Sequence, residues 1–194
     1  MGNKLNLSAK QITGIAILIA LVIVLQAVGG TVSIGVVQLN FTLIPIVLGG
    51  ILFGAWAGAL IGLVCGVVIL IQVIMGIVPF YTAIWTGDPI VVTLTCLLKT
   101  TVAGFLGGFV YKIIAKANKV VATFVASAIV PIVNTALFII GCLFMTNSVY
   151  GMADGQNILI FILVSIVTFN FFIELAINLV VAPALNRVFK AIKF

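Results

Sequence analysis

Long apolar runs alternate with short polar or glycine-containing interruptions along most of the chain. Each run is continuously apolar, without the period-two alternation that strands of a membrane β-barrel show. Most runs approach the roughly 20 residues that an α-helix needs to cross a bilayer. The pattern predicts an all-α integral membrane protein, a single domain over residues 1–194, with six transmembrane helices at 11–29, 41–53, 55–75, 89–114, 120–145 and 158–185.

The composition supports this class, because 64% of the residues are hydrophobic and only 6% are charged. The formal net charge of +6 does not indicate a nucleic-acid partner, since the basic residues lie mainly at the ends of the apolar runs, which membrane lipid should surround. The chain has no histidine, and its three cysteines are far apart inside apolar runs. We therefore expect neither a metal ion nor another cofactor.

The basic residues also predict the orientation of the helices. Eight of the nine lie near the N-terminus or in segments 112–119 and 187–193, all on one side of a six-helix arrangement. The loops on the other side contain Asp88 and Asp154 but no Lys or Arg. Because basic residues are concentrated in cytoplasmic loops, both termini are predicted to be cytoplasmic.

Three interruptions are long enough to carry structure or site residues. Residues 30–40 are predicted to form a loop, or a short strand pair that dips into the protein, with Gln38 and Asn40 near its end. In the predicted loop 76–88, Tyr81 and Trp85 would lie in an interfacial aromatic belt or at the rim of a pocket. Residues 146–157 are expected to form a polar loop.

Small residues recur at four-residue spacing in two of the predicted helices. Ala16 and Ala20 share a face of the first helix, and Gly58, Gly62 and Gly66 share a face of the third. Such faces allow another helix to approach closely. The glycines therefore predict packing inside the bundle, whereas the alanines suit either internal packing or the docking of a partner.

Two charged residues lie inside apolar runs, where a charge costs roughly 2.5–3.5 kcal/mol on insertion scales. Lys99 precedes Lys112 by thirteen residues, and Glu174 precedes Arg187 by thirteen residues. Both should therefore lie about 20 Å from the basic end of the bundle, at one depth in the membrane. The spacing predicts that they either form an ion pair or line one polar cavity.

Further polar residues favour a cavity between the last three helices. Asn170 and Glu174 share one face of the sixth helix, Thr95 and Lys99 share one face of the fourth, and Asn134 lies at a similar depth in the fifth. Unpaired polar groups are costly in an apolar bundle, and there are more of them than one ion pair needs. A Lys99–Glu174 pair that merely joins helices remains the structural alternative.

At this point the chain resembles a known family. The resemblance rests on the Ala16/Ala20 pair and three blocks: FTLIPIVLGGILFGAWAGALIGLVCG at 41–66, GDPIVVTLTCLLKTTVAGFLGGFVYK at 87–112, and PIVNTALFIIG at 131–141. Together they are similar to the substrate-binding S component of energy-coupling factor (ECF) vitamin transporters.

The resemblance implies a multi-pass protein of the bacterial plasma membrane that binds a vitamin and is not an enzyme. Such a component would dock through helix one, here at Ala16 and Ala20, onto a transmembrane coupling subunit that works with two ABC ATPases. The absence of an ATP-binding Walker A sequence in this chain agrees with that division of labour. A stand-alone secondary carrier or a small membrane enzyme is the alternative function.

Pantothenate is the leading substrate candidate, because Lys99 could neutralise a carboxylate and because the contexts around Asp88 and Asn134 resemble the pantothenate and pyridoxine-like branches. Pyridoxine-like compounds, riboflavin and folate are the other candidates. The predicted substrate-binding residues are Lys99, Asn134, Asn170, Glu174, Thr95, Trp85, Tyr81, Gln38 and Asn40.

Overall fold

A computed structural model of the protein describes residues 8–29, 33–34, 37–38, 40–145 and 147–191. Most of these residues are helical, and five helices are long and apolar enough to cross a membrane. This confirms the predicted all-α membrane fold. In chain order the elements are α1 (Ala9–Gly29), β1 (Ser33–Ile34), β2 (Val37–Gln38), α2 (Leu43–Phe53), α3 (Ala55–Ile74), α4 (Pro79–Trp85), α5 (Pro89–Ile114), α6 (Lys119–Phe144), α7 (Val149–Met152), α8 (Ile158–Ile160), a π-helical segment (Phe161–Val167) and α9 (Thr168–Ala191).

The second predicted span is the short helix α2. Its 11 residues extend about 16 Å, roughly half of the hydrocarbon core of a bilayer, so α2 does not cross the membrane on its own. Seven of the 11 are buried, which fits a helix enclosed by its neighbours. Gly54, with φ of +92°, forms the sharp turn from α2 into α3, a conformation that favours glycine.

The chain before α2 re-enters the bundle. The ends of α1 and α3 lie together, because Gln26 and Gln72 are hydrogen-bonded, so these two helices run in the same direction. The β1–β2 pair and α2 carry the chain back between them, and the backbone N–H of Asn40 donates to Glu174 Oε1 at 2.8 Å. Glu174 lies near the middle of the helical run from Ile158 to Ala191. Asn40 is therefore deep in the bundle, where its amide needs such a partner.

Glycines bring α3 and α5 into close contact. A Cβ atom at Gly58 would meet the carbonyl of Gly104, one at Gly62 would meet the carbonyl of Thr100, and one at Gly66 would meet that of Cys96. Side chains are thus excluded from this interface and the two backbones touch. The packing role predicted for the glycine stripe is confirmed.

Two predicted segments differ from the structure. Residues 76–88 are not simply a loop, because α4 forms there. Pro79 begins the helix, and Thr82 Oγ1 donates to the Val78 carbonyl at 2.8 Å. Tyr81, a residue of α4, has a buried side chain. The last segment is not one continuous α-helix over 158–185, since its first ten residues are α8 and the π-helical segment, and α9 continues to Ala191. Pro79 in the first turn favours the start of α4, and apolar composition alone does not distinguish a π-helical segment from an α-helix.

Candidate ligand-binding site

A cavity lies between α5, α6 and α9, closer to one end of the bundle. It contains about 610 Å³ of space not filled by atoms, including its mouth. Lys99 is ten residues from the start of α5 and Asn134 ten residues from the end of α6, about 15 Å from the helix ends that adjoin α4. The polar lining residues are Gln26, Asn40, Tyr81, Lys99, Asn134, Thr135, Asn170 and Glu174, and the apolar ones are Ile69, Val78, Phe138, Ile166, Val167 and Phe171.

Lys99 reaches the cavity, and among the described residues its ammonium is in contact with neutral groups only. The side chain is 6% exposed, and Nζ donates to the Tyr81 hydroxyl at 2.6 Å. Nζ also lies 4.9 Å from the Tyr81 ring centroid and 5.2 Å from that of Phe138, within the range of cation–π attraction. Burial raises the pKa of Tyr81 well above its usual value, so its hydroxyl keeps a proton that can be donated to a ligand.

Glu174 lines the same cavity without pairing with Lys99. Its Oε1 accepts the Asn40 backbone N–H, and the side chain is 7% exposed. In the part of the chain that the structure describes, Lys99 and Glu174 have no ammonium–carboxylate contact within 4.0 Å. Of the two arrangements that the sequence left open, the structure therefore shows the shared cavity and not the ion pair.

Amide side chains supply further hydrogen-bonding groups. Asn134 Oδ1 is buried with no hydrogen-bond partner among the described residues, so it is an acceptor that a donor in the cavity could satisfy. Asn170 lies one helical turn before Glu174 and also lines the cavity. Asn178, one turn after Glu174, instead donates to the Glu174 backbone carbonyl at 2.8 Å and lies outside the lining.

Gln26, near the end of α1, is buried and lines the cavity, although its sequence position does not predict either. Its Nε2 donates to Gln72 Oε1 at 2.8 Å, and Gln72 Nε2 donates to the Gln26 carbonyl at 3.1 Å. A polar residue near the end of a membrane helix usually faces the interface with water, so its sequence position carried no signal. The apolar lining residues Phe138 and Phe171 were equally indistinguishable from ordinary packing residues.

Comparison with known proteins adds the decisive observation. The family described as "ECF transporter, substrate-specific component" matches the chain over residues 10–186. The chain belongs to this family. It is therefore a substrate-binding transporter component of the membrane, and not a member of an enzyme family. No curated protein matches the chain significantly.

Two predicted binding residues of this S component, Thr95 and Trp85, do not contribute side chains to the described cavity. Thr95 is buried, but its hydroxyl donates to the Val91 carbonyl at 2.7 Å, and Thr95 packs on Gly141 of α6. Trp85, at the end of α4, is half-buried against the apolar core outside the lining. The backbone of Gln38 is in β2, while its side chain lies outside the described residues.

The alanine pair of the S component lies on the outside of the bundle. Ala16 and Ala20 are exposed, whereas Ile15, Leu18 and Val22 of the same helix face the core. The face that they share is thus not covered by any of the residues that the structure describes. It is available to lipid or to another membrane protein.

Proposed function

We propose that this S component binds pantothenate in the cavity and delivers it to the ATPase-coupled module of an ECF importer. One observation carries the choice of substrate: the Lys99 ammonium is buried in the cavity with a hydroxyl and two aromatic rings as neighbours, and no carboxylate of the described residues is in contact with it. A buried ammonium is stabilised most by an anion, because electrostatic interactions are strong where water is excluded. A ligand carboxylate would supply that anion.

The remaining polar groups complement the rest of such a ligand. Pantothenate has a carboxylate at one end, and an amide and two hydroxyls further along the molecule. Asn134 Oδ1, which lacks a partner among the described residues, and the Glu174 carboxylate can accept hydrogen bonds from these groups. Separation of Lys99 from Glu174 suits a ligand that is anionic at one end and donates hydrogen bonds at the other.

The other vitamins fit these charges less well. Pyridoxine and riboflavin carry no carboxylate for Lys99, and folate is an anion but a much larger one. We therefore rank pantothenate first, and these three serve as comparison ligands in the same experiment.

A thermal-shift measurement on purified protein tests this proposal. Pantothenate, its alcohol analogue pantothenol, pyridoxine, riboflavin and folate are added separately to the wild type and to the Lys99→Met variant. We expect pantothenate to raise the wild-type melting temperature far more than pantothenol, and Lys99→Met to abolish the difference. A larger shift with another vitamin, or equal shifts with pantothenate and pantothenol, would reject pantothenate as the substrate.

We also propose that the exposed face at Ala16 and Ala20 docks onto the transmembrane coupling subunit. Small side chains permit close helix contact, and this face has no partner within the described chain. Ala16→Trp and Ala20→Trp should block ATP-dependent uptake in vesicles that contain the whole transporter, while the isolated protein still binds the vitamin. Leu21→Trp is the matched control, since Leu21 is exposed about 140° around the helix from Ala16. Uptake without ATPases would instead support a stand-alone carrier.

The proposed orientation places the cavity mouth outside the cell and both termini in the cytoplasm. Lys10, Lys112, Lys116 and Arg187 are exposed and belong to the half of the bundle away from α4 and the cavity. Positively charged residues favour the cytoplasmic side. A single cysteine introduced at exposed Gly151, in a variant whose native cysteines are replaced, should react with a membrane-impermeant thiol reagent in whole cells, and one at Lys116 should not.

A further inference from the structure

The helix α1 is attached to the bundle by a narrow strip of residues. Ile15, Leu18, Val22 and Gln26 are its buried positions, and most of its other described residues are exposed or half-buried. Three of the four make only apolar contacts, which tolerate small shifts of the helix. Gln26 is the polar member of the strip, at the end of α1 beside the cavity.

Gln26 is held by two hydrogen bonds to one partner. Its Nε2 donates to Gln72 Oε1 at 2.8 Å, and Gln72 Nε2 donates to its backbone carbonyl at 3.1 Å. That carbonyl belongs to the last turn of α1, where carbonyl groups have no partner within the helix. Gln72 thus caps α1 and orients the Gln26 amide at the same time.

One hydrogen-bonding atom of the Gln26 side chain, Oε1, has no partner among the described residues. Gln26 lines the cavity, whereas Gln72 does not. An oriented amide oxygen at the wall of a polar cavity is suited to accept a hydrogen bond from a hydroxyl or amide N–H of a ligand. Of the described residues of α1, Gln26 alone reaches the cavity.

We infer that Gln26 is a ligand-binding residue supplied by α1, that Gln72 is its positioning residue, and that ligand binding fixes the end of α1 through this pair. The inference rests on the proposed function for the identity of the ligand. A bound donor that engages Gln26 Oε1 ties α1 to α9 and α5 through the ligand, in addition to α3. By linkage, any partner that prefers the fixed position of α1 then binds the occupied protein more tightly than the empty one.

Titration of pantothenate into the purified variants tests the binding role. Gln26→Met keeps the length of the side chain but removes the amide, and should weaken pantothenate binding about tenfold, as expected for one lost hydrogen bond. Gln26→Asn, which withdraws the amide from the cavity, should also weaken binding and serves if the methionine variant does not fold. Thr123→Val is the matched control: it removes the hydrogen bond from Thr123 to the Lys119 carbonyl at the end of α6 away from the cavity, and should leave affinity unchanged.

The positioning role of Gln72 needs a readout that lost stability alone would not move. Gln72→Met should weaken pantothenate binding about threefold in the wild-type background but have no further effect in Gln26→Met, because Gln72 acts only through Gln26. Hydrogen exchange of the last turn of α1 supplies the second readout. Pantothenate should slow this exchange several-fold in the wild type and not in Gln26→Met.

The outcomes separate this inference from the proposed function. Wild-type affinity and unchanged exchange protection in Gln26→Met would overturn the role of Gln26 while leaving pantothenate as the substrate. Additive effects of Gln26→Met and Gln72→Met would reject Gln72 as the positioning residue. Failure of the wild type to bind pantothenate would overturn the proposed substrate, and the inference with it.

Discussion

Two sides of α5 are built on opposite principles. On the side that faces α3, glycines remove side chains, so that Gly58 and Gly62 rest on the backbone carbonyls of Gly104 and Thr100. On the side that faces the cavity, long polar side chains converge, and among the described residues the Lys99 ammonium contacts only neutral groups. Thr100 directly follows Lys99, so one helix carries tight backbone packing and one wall of a polar cavity at the same depth.

Disrupting the glycine contacts between α3 and α5 should have the largest effect on stability. A Cβ at Gly62 would meet the backbone carbonyl of Thr100, which cannot rotate away, so Gly62→Ala should destabilise the fold by about 3 kcal/mol, the upper end of the usual cost of overpacking. Thermal unfolding in detergent measures this loss. The control is Gly151→Ala, since no atom lies within 4 Å of a Cβ at that position. Equal melting temperatures for both variants would contradict the close contact.

Loss of the hydrogen bond between Asn40 and Glu174, which anchors the re-entrant segment before α2, should have the next largest effect on stability. Glu174→Leu leaves the partly buried Asn40 N–H without an acceptor and should cost about 2 kcal/mol, whereas Glu174→Gln keeps an acceptor oxygen and should cost much less. Unfolding of the two variants without ligand separates the hydrogen bond from the charge. If both variants lose the same stability, Glu174 does not anchor this segment through its hydrogen bond.

Lys99 should show opposite effects on stability and on binding. Without ligand, Lys99→Met removes a buried charge but also the partner of the Tyr81 hydroxyl, and should raise stability by about 1 kcal/mol. The same variant should lose selective binding of the anionic vitamin. Lower stability of ligand-free Lys99→Met would show that the ammonium is structural, and would remove the reason to assign it to a ligand.

Substitution of Thr95 should have the smallest effect on affinity and stability. Its hydroxyl is satisfied within α5 and lies outside the cavity, so Thr95→Val should change affinity by less than about twofold, and stability by about 0.5 kcal/mol. Calorimetric titration beside Asn134→Leu, which alters the lining, provides the contrast. A large loss of affinity in Thr95→Val but not in Asn134→Leu would show that Thr95, and not Asn134, contacts the ligand.

The sequence predicts the membrane class well and the site in part, for physical reasons. Lys99, Asn134 and Glu174 stand out because polar residues are costly inside membrane helices, and all three line the cavity. Thr95 shares a helix face with Lys99, but a short hydroxyl can bond to its own helix where a long ammonium extends past it.

Other features depend on three-dimensional contacts that leave no mark on apolar periodicity. Gln26 becomes buried only because Gln72 meets it across α1 and α3. The re-entrant course of the chain is stabilised by one long-range bond from Asn40 to Glu174. Neither pairing can be predicted from residue spacing along a single helix, so these two contacts could not be derived from the sequence.

The most direct test of the central claim is a structure of the protein with bound pantothenate. The account predicts one vitamin molecule in the cavity between α5, α6 and α9, with a carboxylate oxygen about 2.7–2.9 Å from Lys99 Nζ, as in charge-assisted hydrogen bonds. A vitamin bound elsewhere on the protein, or one whose carboxylate points away from Lys99, would contradict it.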